Sequence, residues 1–77
     1  MIRKKIISII ALALEKQKSE ISIESNNNNL QDWGSVQNLF ISSDIENEFN
    51  IELTTDEIAN FNSVLEIENI VKKHVKD

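Results

Sequence analysis

The sequence predicts an all-α fold: a four-helix bundle of three longer helices and one short third helix, in a single domain. Three observations carry that expectation. Proline is absent and glycine occurs once in 77 residues, whereas the turns of an all-β domain need both repeatedly. Apolar residues recur at helical spacing over residues 2–17, 35–49 and 63–75, the period of half-buried helices. Two boxes, Thr54-Thr55-Asp56-Glu57 and Ser63-Val64-Leu65-Glu66, have the form that opens a helix. With no cysteine, neither a disulfide nor a thiolate metal site reinforces a core this small, so Ile, Leu, Val and three Phe must supply it.

The first helix is expected over about residues 2–17. Ile2, Ile6, Ile9, Ile10 and Ala13 fall on one arc of a helical wheel, with Ile7 and Leu14 at its edge and Lys4, Ser8 and Glu15 opposite. Lys16 and Lys18 suit the negative end of the helix dipole. The basic start and apolar run also imitate a signal peptide, but Ala11 and Ala13 lie inside the run instead of after it. Nine apolar residues are too few to span a bilayer. A membrane-surface helix stays open beside the core-helix reading.

Residues 18–34 form the long connection between helices one and two. Ile21 and Ile23 alternate with polar residues, yet two such positions without a partner strand read better as pins holding a loop to the bundle. Asn26 to Asn29 is a tract whose side chains compete for backbone hydrogen bonds and favour turns. Leu30 and Trp33 read as anchors, with ligand stacking the alternative for Trp33.

Helix two is expected over residues 35–49 with Ser35 as its N-cap. Ile41, Ile45 and Phe49 line one side, while Val36, Leu39 and Phe40 cluster nearly opposite, beside Ser35. A helix in a one-core domain cannot bury both faces in that core, so the second patch is expected exposed or under the loop. Asp44, Glu46 and Glu48 do not converge on one helix face and lack the glycine of a calcium loop, so they are expected as a solvated acidic edge. Ser42 and Ser43 are expected to bond back to the preceding turn.

Asn50 to Leu53 closes this helix, with Ile51 and Leu53 inward. The first box opens a short helix over about residues 55–60, and Phe61 anchors the next turn. The second opens a last helix over 63–75, its arc Val64, Ile67, Ile70, Val71 and Val75, its end marked by Lys72, Lys73 and Lys76. His74 sits at the edge of that arc and is expected as a half-buried spacer, with no carboxylate beside it.

The net charge of -5 conceals a division along the chain. Arg3, Lys4, Lys5, Lys16 and Lys18 face one acid, Glu15, in the first nineteen residues, whereas Glu20 to Val71 holds eleven carboxylates and no Lys or Arg. Such a stretch repels nucleic acid and attracts basic protein surfaces; the acids also serve plain solubility. One histidine, no cysteine and no carboxylate pair held on one face leave little for catalysis or metal binding. A non-catalytic, cytoplasmic protein without membrane insertion is expected.

The order of elements, together with Trp33-Gly34-Ser35-Val36 and with Glu46-Asn47-Glu48-Phe49-Asn50-Ile51-Glu52-Leu53, resembles the acyl carrier protein family. There an Asp-Ser-Leu signature, often preceded by Trp, opens a helix that ends in acids and Phe and is followed by an Ile-x-Ile-like segment. Phe49 stands fourteen residues after Ser35, as in that family, and Thr54 to Glu57, Phe61 and Val64 continue the match without a gap. The likeness covers residues 30 to 71 well and the first helix loosely. It implies that Ser35 is the attachment point of 4'-phosphopantetheine, added from coenzyme A by a phosphopantetheinyl transferase. The arm's thiol would carry acyl or aminoacyl groups as thioesters between loading and processing enzymes, and so bring a reactive sulfur to a cysteine-free chain. Val36, Leu39, Phe40, Asp44 and Glu48 are the implied partner contacts on a monomeric carrier. Gly34 stands where the family has Asp, Val36 replaces the usual Leu, and Gln37 and Phe40 stand where fatty-acid carriers often have acids. These departures point to a specialised carrier with dedicated partners, in a fatty-acid, polyketide or related pathway. An unmodified module of the same fold that binds a partner through helix two is the alternative.

Overall fold

The computed structural model describes residues 2–75. Among them the chain forms α1 (Ile2–Leu14), α2 (Ser35–Phe49), α3 (Thr55–Ala59) and α4 (Val64–Val75), with one 3-10 turn at Lys18–Glu20. The α1 helix packs chiefly on α2 and then on α4, while α3 rests against α2. Lys76, expected near the end of the last helix, lies outside the described residues.

α1 ends three residues before its expected limit of 17. Glu15 adopts a left-handed φ of 57°, and the N–H groups of Glu15 and Lys16 turn back to the carbonyls of Leu12 (3.2 Å) and Ala11 (2.9 Å). This is a Schellman closure, made without the usual glycine. It sends the chain back so that Ile21 is buried. The buried stripe of α1 is Ile6, Ile10, Ala11 and Leu14, with Ile2, Ile7, Ile9 and Ala13 partly covered around it. Leu14 therefore lies inside the arc at whose edge the wheel placed it.

α2 closes the same way. Asn50, at φ 56°, takes the left-handed position, and the Ile51 N–H reaches the Glu46 carbonyl at 3.2 Å. α3 has a complete capping box: Thr54 Oγ1 accepts from the Glu57 N–H (3.1 Å) and Glu57 Oε1 from the Thr54 N–H (2.9 Å). At α4 the Glu66 N–H donates to Ser63 Oγ at 3.0 Å. Ser63 stands just outside the helix, one residue before the helix proper.

Phe61, Ile6, Ile10, Ile41, Ile45, Ile67, Val64 and Val71 are the fully buried centre, drawn from α1, α2, α4 and the α3–α4 junction. The radius of gyration, 11.1 Å, is close to the roughly 11.5 Å of a packed chain of this length, so the long connection lies down on the bundle. It does so through buried Ile21 and Trp33, and through hydrogen bonds to the α3–α4 junction. There the Asn27 N–H donates to the Asn62 carbonyl (2.9 Å) and the Val64 N–H to the Ser25 carbonyl (3.0 Å).

Ion pairs join the basic start of the chain to its acidic remainder. Arg3 grips buried Glu68 with Nε to Oε2 at 2.9 Å and Nη2 to Oε1 at 3.1 Å. Lys5 meets Glu48 at 3.2 Å and Lys16 meets Asp32 at 3.6 Å. Arg3 and Lys5 of α1 thus pair within the bundle, and the apolar arc of the helix packs into the core. No helix among the described residues is long and apolar enough to cross a membrane.

Candidate functional site

The start of α2 is one residue out of step with its expected cap. Gly34, extended at φ -128° and ψ -168°, is the N-cap: its carbonyl accepts the Asn38 N–H at 3.1 Å. Gln37 bends back so that its Oε1 accepts the Gly34 N–H at 3.0 Å. Ser35 is accordingly the first helical residue, not the cap, and no side-chain bond closes the helix from the cap position. A hydroxyl at this position has no capping geometry to satisfy. Ser35 is exposed.

Two faces of α2 separate as expected. Ile41 and Ile45 are fully buried, whereas Val36, Leu39 and Phe40 are 59, 64 and 60% exposed. These three form a contiguous apolar step immediately C-terminal to Ser35. Asp44 and Glu48 continue the Phe40 row at four-residue spacing, but they differ in availability. Asp44 is half-buried, and exposed Glu48 is engaged by Lys5, whose Nζ also lies 6.0 Å from the centre of the Phe49 ring. Ser42 is buried with its Oγ donating to the Leu39 carbonyl at 2.9 Å, the back-bond expected of it, while Ser43 is exposed.

Ser35 also borders an open groove of about 610 Å3 between the start of α2, α3 and the tip of the long connection, which shares Leu39 with the apolar step. Trp33, Leu39, Ile58 and Ala59 contribute apolar lining; Asn27, Asn38, Thr55 and Asn62 add amides and a hydroxyl. The volume falls in the range of small-molecule sites. The asparagine tract builds one rim: Asn26 Oδ1 accepts the N–H groups of Asn28 (2.8 Å) and Asn29 (3.1 Å), and Asn29 Oδ1 accepts that of Asn26 (2.9 Å). Trp33 is an anchor, 4% exposed, and its indole N–H donates to Asn38 Oδ1 at 2.8 Å. Sequence reasoning does not single out Asn27, Asn38, Thr55, Ile58 or Asn62 as a group. They lie on three separate segments, and only the asparagine run offers a local signal.

His74 requires a correction. Its Nε2 lies 2.9 and 3.0 Å from the two carboxylate oxygens of Glu57, so a carboxylate does stand beside it. The capping box of α3 turns Glu57 toward α4, a placement invisible on the wheel of α4 alone. The Thr54 N–H first, and His74 with it, hold the Glu57 carboxyl below its ordinary value. The pair ties α3, which has no buried residue of its own, to the last turn of α4. The acids of α2 have separate uses: Glu46 Oε2 accepts the Leu53 N–H at 2.9 Å, and Glu48 pairs with Lys5.

Set against known families and curated proteins, the chain matches no family model and no curated protein.

Proposed function

We propose that the protein is a non-catalytic carrier modified at Ser35 with 4'-phosphopantetheine, acting as a cytoplasmic monomer that hands acyl or aminoacyl groups to enzymes docked on α2. The observation that carries this reading is the position of Ser35: an exposed hydroxyl in the first turn of α2, beside a bare apolar step and an open groove. The chain's own residues suit the group. Exposure admits a transferase, and Gly34 leaves the approach to Ser35 unobstructed by a side chain. The positive end of the α2 dipole favours a phosphodiester there. When bound, the group supplies a thiol on a flexible arm, the sulfur this cysteine-free sequence lacks. Val36, Leu39 and Phe40 offer a partner desolvated contact next to the attachment point, and half-buried Asp44 an acid beside them, whereas a partner's cation would have to displace Lys5 to reach Glu48.

Intact-mass measurement after incubation with coenzyme A and several broad-specificity phosphopantetheinyl transferases tests the assignment. One adduct is expected, lost in Ser35→Ala; an adduct that persists in Ser35→Ala places the site elsewhere. Gly34, in place of the acid beside the family's serine, favours a second reading, an unmodified module that binds its partner through α2. No adduct with any transferase, together with retained partner binding, would establish that reading instead.

A further inference from the structure

α3 forms one wall of the groove through Thr55, Ile58 and Ala59, and little apolar contact holds it there, since none of its five residues is buried. A helix this short depends on its caps and its neighbours for stability more than on its own hydrogen bonds. Glu57 serves both needs. Its Oε1 accepts the Thr54 N–H at 2.9 Å inside the capping box, and its two carboxylate oxygens lie 3.0 and 2.9 Å from Nε2 of His74 in the last turn of α4. With the two side chains 27 and 24% exposed, solvent screens the pair only in part. Imidazole is the side chain whose ordinary charge change falls between about pH 5 and 8. The Glu57 carboxyl, held below its ordinary value of 4.5 by the Thr54 N–H first and by His74 as well, stays ionised throughout that range. Among the described residues Glu57 is the acid paired with the ring. Asp56, its neighbour on α3, is exposed, and Lys72 and Lys73 on α4 are exposed cations that disfavour a charge on the ring. The helices packed on α4 direct their charges elsewhere: Arg3 of α1 at Glu68, Lys5 at Glu48 of α2, and Glu46 at the Leu53 N–H.

We propose that the Glu57–His74 pair is a pH-sensitive clasp: charged His74 holds α3 closed against α4, and loss of the ring's proton to solvent releases α3 and opens the groove wall facing Ser35. A neutral ring keeps at most a hydrogen bond to Glu57 and loses the attraction between opposite charges. The clasp is strongest where both partners are charged, at about pH 5 to 6, and weakens as pH rises through neutral. It weakens again in acid, once Glu57 takes up a proton below 4.5. The device goes beyond the carrier reading and does not depend on modification of Ser35. Charge pairs of this exposure shift an equilibrium by about two- to fivefold.

The experiment is backbone-amide relaxation-dispersion NMR, which reads opening on the microsecond to millisecond scale, on the full unmodified chain at about pH 5.5 and about pH 8.5, on either side of the ring's ordinary titration. The open population of residues 55–59 is expected to rise about two- to fivefold from the lower pH to the higher, while the amides of α1 keep theirs. His74→Gln, checked for an intact fold by circular dichroism, should show the larger open population at both pH values. Glu57→Gln keeps a side chain able to cap Thr54 but removes the charge, and should abolish the pH response in the same way. An α3 population that does not change with pH, a change that persists in His74→Gln or Glu57→Gln, one spread equally over α1, α2 and α4, or no exchange in α3 at either pH each overturns the proposal. Failure of the carrier reading looks different, a chain whose α3 responds to pH yet gains no mass adduct; failure of the clasp alone is an adduct on a chain whose α3 does not respond.

Discussion

Replacing Ile45 by alanine and Phe40 by aspartate sets the two faces of α2 against each other. Ile45 is fully buried and Phe40 is 60% exposed, five residues apart on the same helix. Ile45→Ala deletes three carbons from the core. At roughly 0.8 kcal/mol per buried carbon the transfer loss alone is about 2.4 kcal/mol, and the cavity left behind brings the cost to about 3 to 4 kcal/mol, inside the usual 2 to 5 for such truncations. A domain of this length has only about 4 to 12 kcal/mol in total, so the midpoint of thermal unfolding should fall by at least about 10 °C. Phe40→Asp removes a side chain that lies outside the core and adds a like charge four residues before Asp44, so it should cost no more than about 1 kcal/mol. Urea and thermal melts followed by circular dichroism read both. The same two variants, loaded and offered to a partner enzyme, should invert the ranking, with Phe40→Asp slowing transfer and Ile45→Ala sparing it below its melting point. A Phe40→Asp protein less stable than Ile45→Ala would refute the assignment of the faces.

Two further outcomes are set by the geometry. At Gly34 the backbone is extended and an added Cβ would meet only the tip of Gln37, with Oε1 at 3.3 Å. Gly34→Asp should therefore fold with stability within about 0.5 kcal/mol of the native chain, exchanging the Gln37 cap for its own, as urea melts would read; an unfolded variant would show that the glycine is sterically required. The second concerns acid. The Arg3 guanidinium holds the Glu68 carboxyl below its ordinary value of 4.5. A carboxyl with a lower pKa folded than unfolded stabilises the fold above its ordinary pKa and loses that contribution as pH falls through the folded value. Glu68→Gln should thus be less stable than the native chain at neutral pH, and the gap should narrow steadily in urea titrations below pH 4.5. A gap that does not change with pH would mean that the Arg3–Glu68 pair contributes nothing beyond its shape.

Much of the architecture is legible in contiguous residues because the rules that specify it are local. Capping needs a hydroxyl and a carboxylate three residues apart, and Thr54 with Glu57 meets that condition in sequence as in space. A core face needs a period, and Val64, Ile67, Ile70 and Val71 declare theirs, every one of them buried. The bare step of Val36, Leu39 and Phe40 is readable for the same reason: a helix with apolar residues on opposite sides has one side too many for a single core.

Where a helix begins or ends is less legible, since neighbouring residues compete. Ser35 has the better capping side chain, but Gly34 takes the cap once Gln37 supplies the bond from the third position. Glu15 accepts a left-handed conformation that costs an ordinary residue about 1 to 2 kcal/mol, because the turn it makes brings Ile21 into the core. The contacts that join separate elements lie further still from sequence reasoning. Asn27 reaches Asn62 across 35 positions, Arg3 reaches Glu68 across 65, and Glu57 reaches His74 across 17. Periodicity and capping describe one helix at a time and say nothing of the distance between two. Those distances are set by how four apolar faces pack together, and from that packing come both the groove at Ser35 and the hold of α4 on its wall.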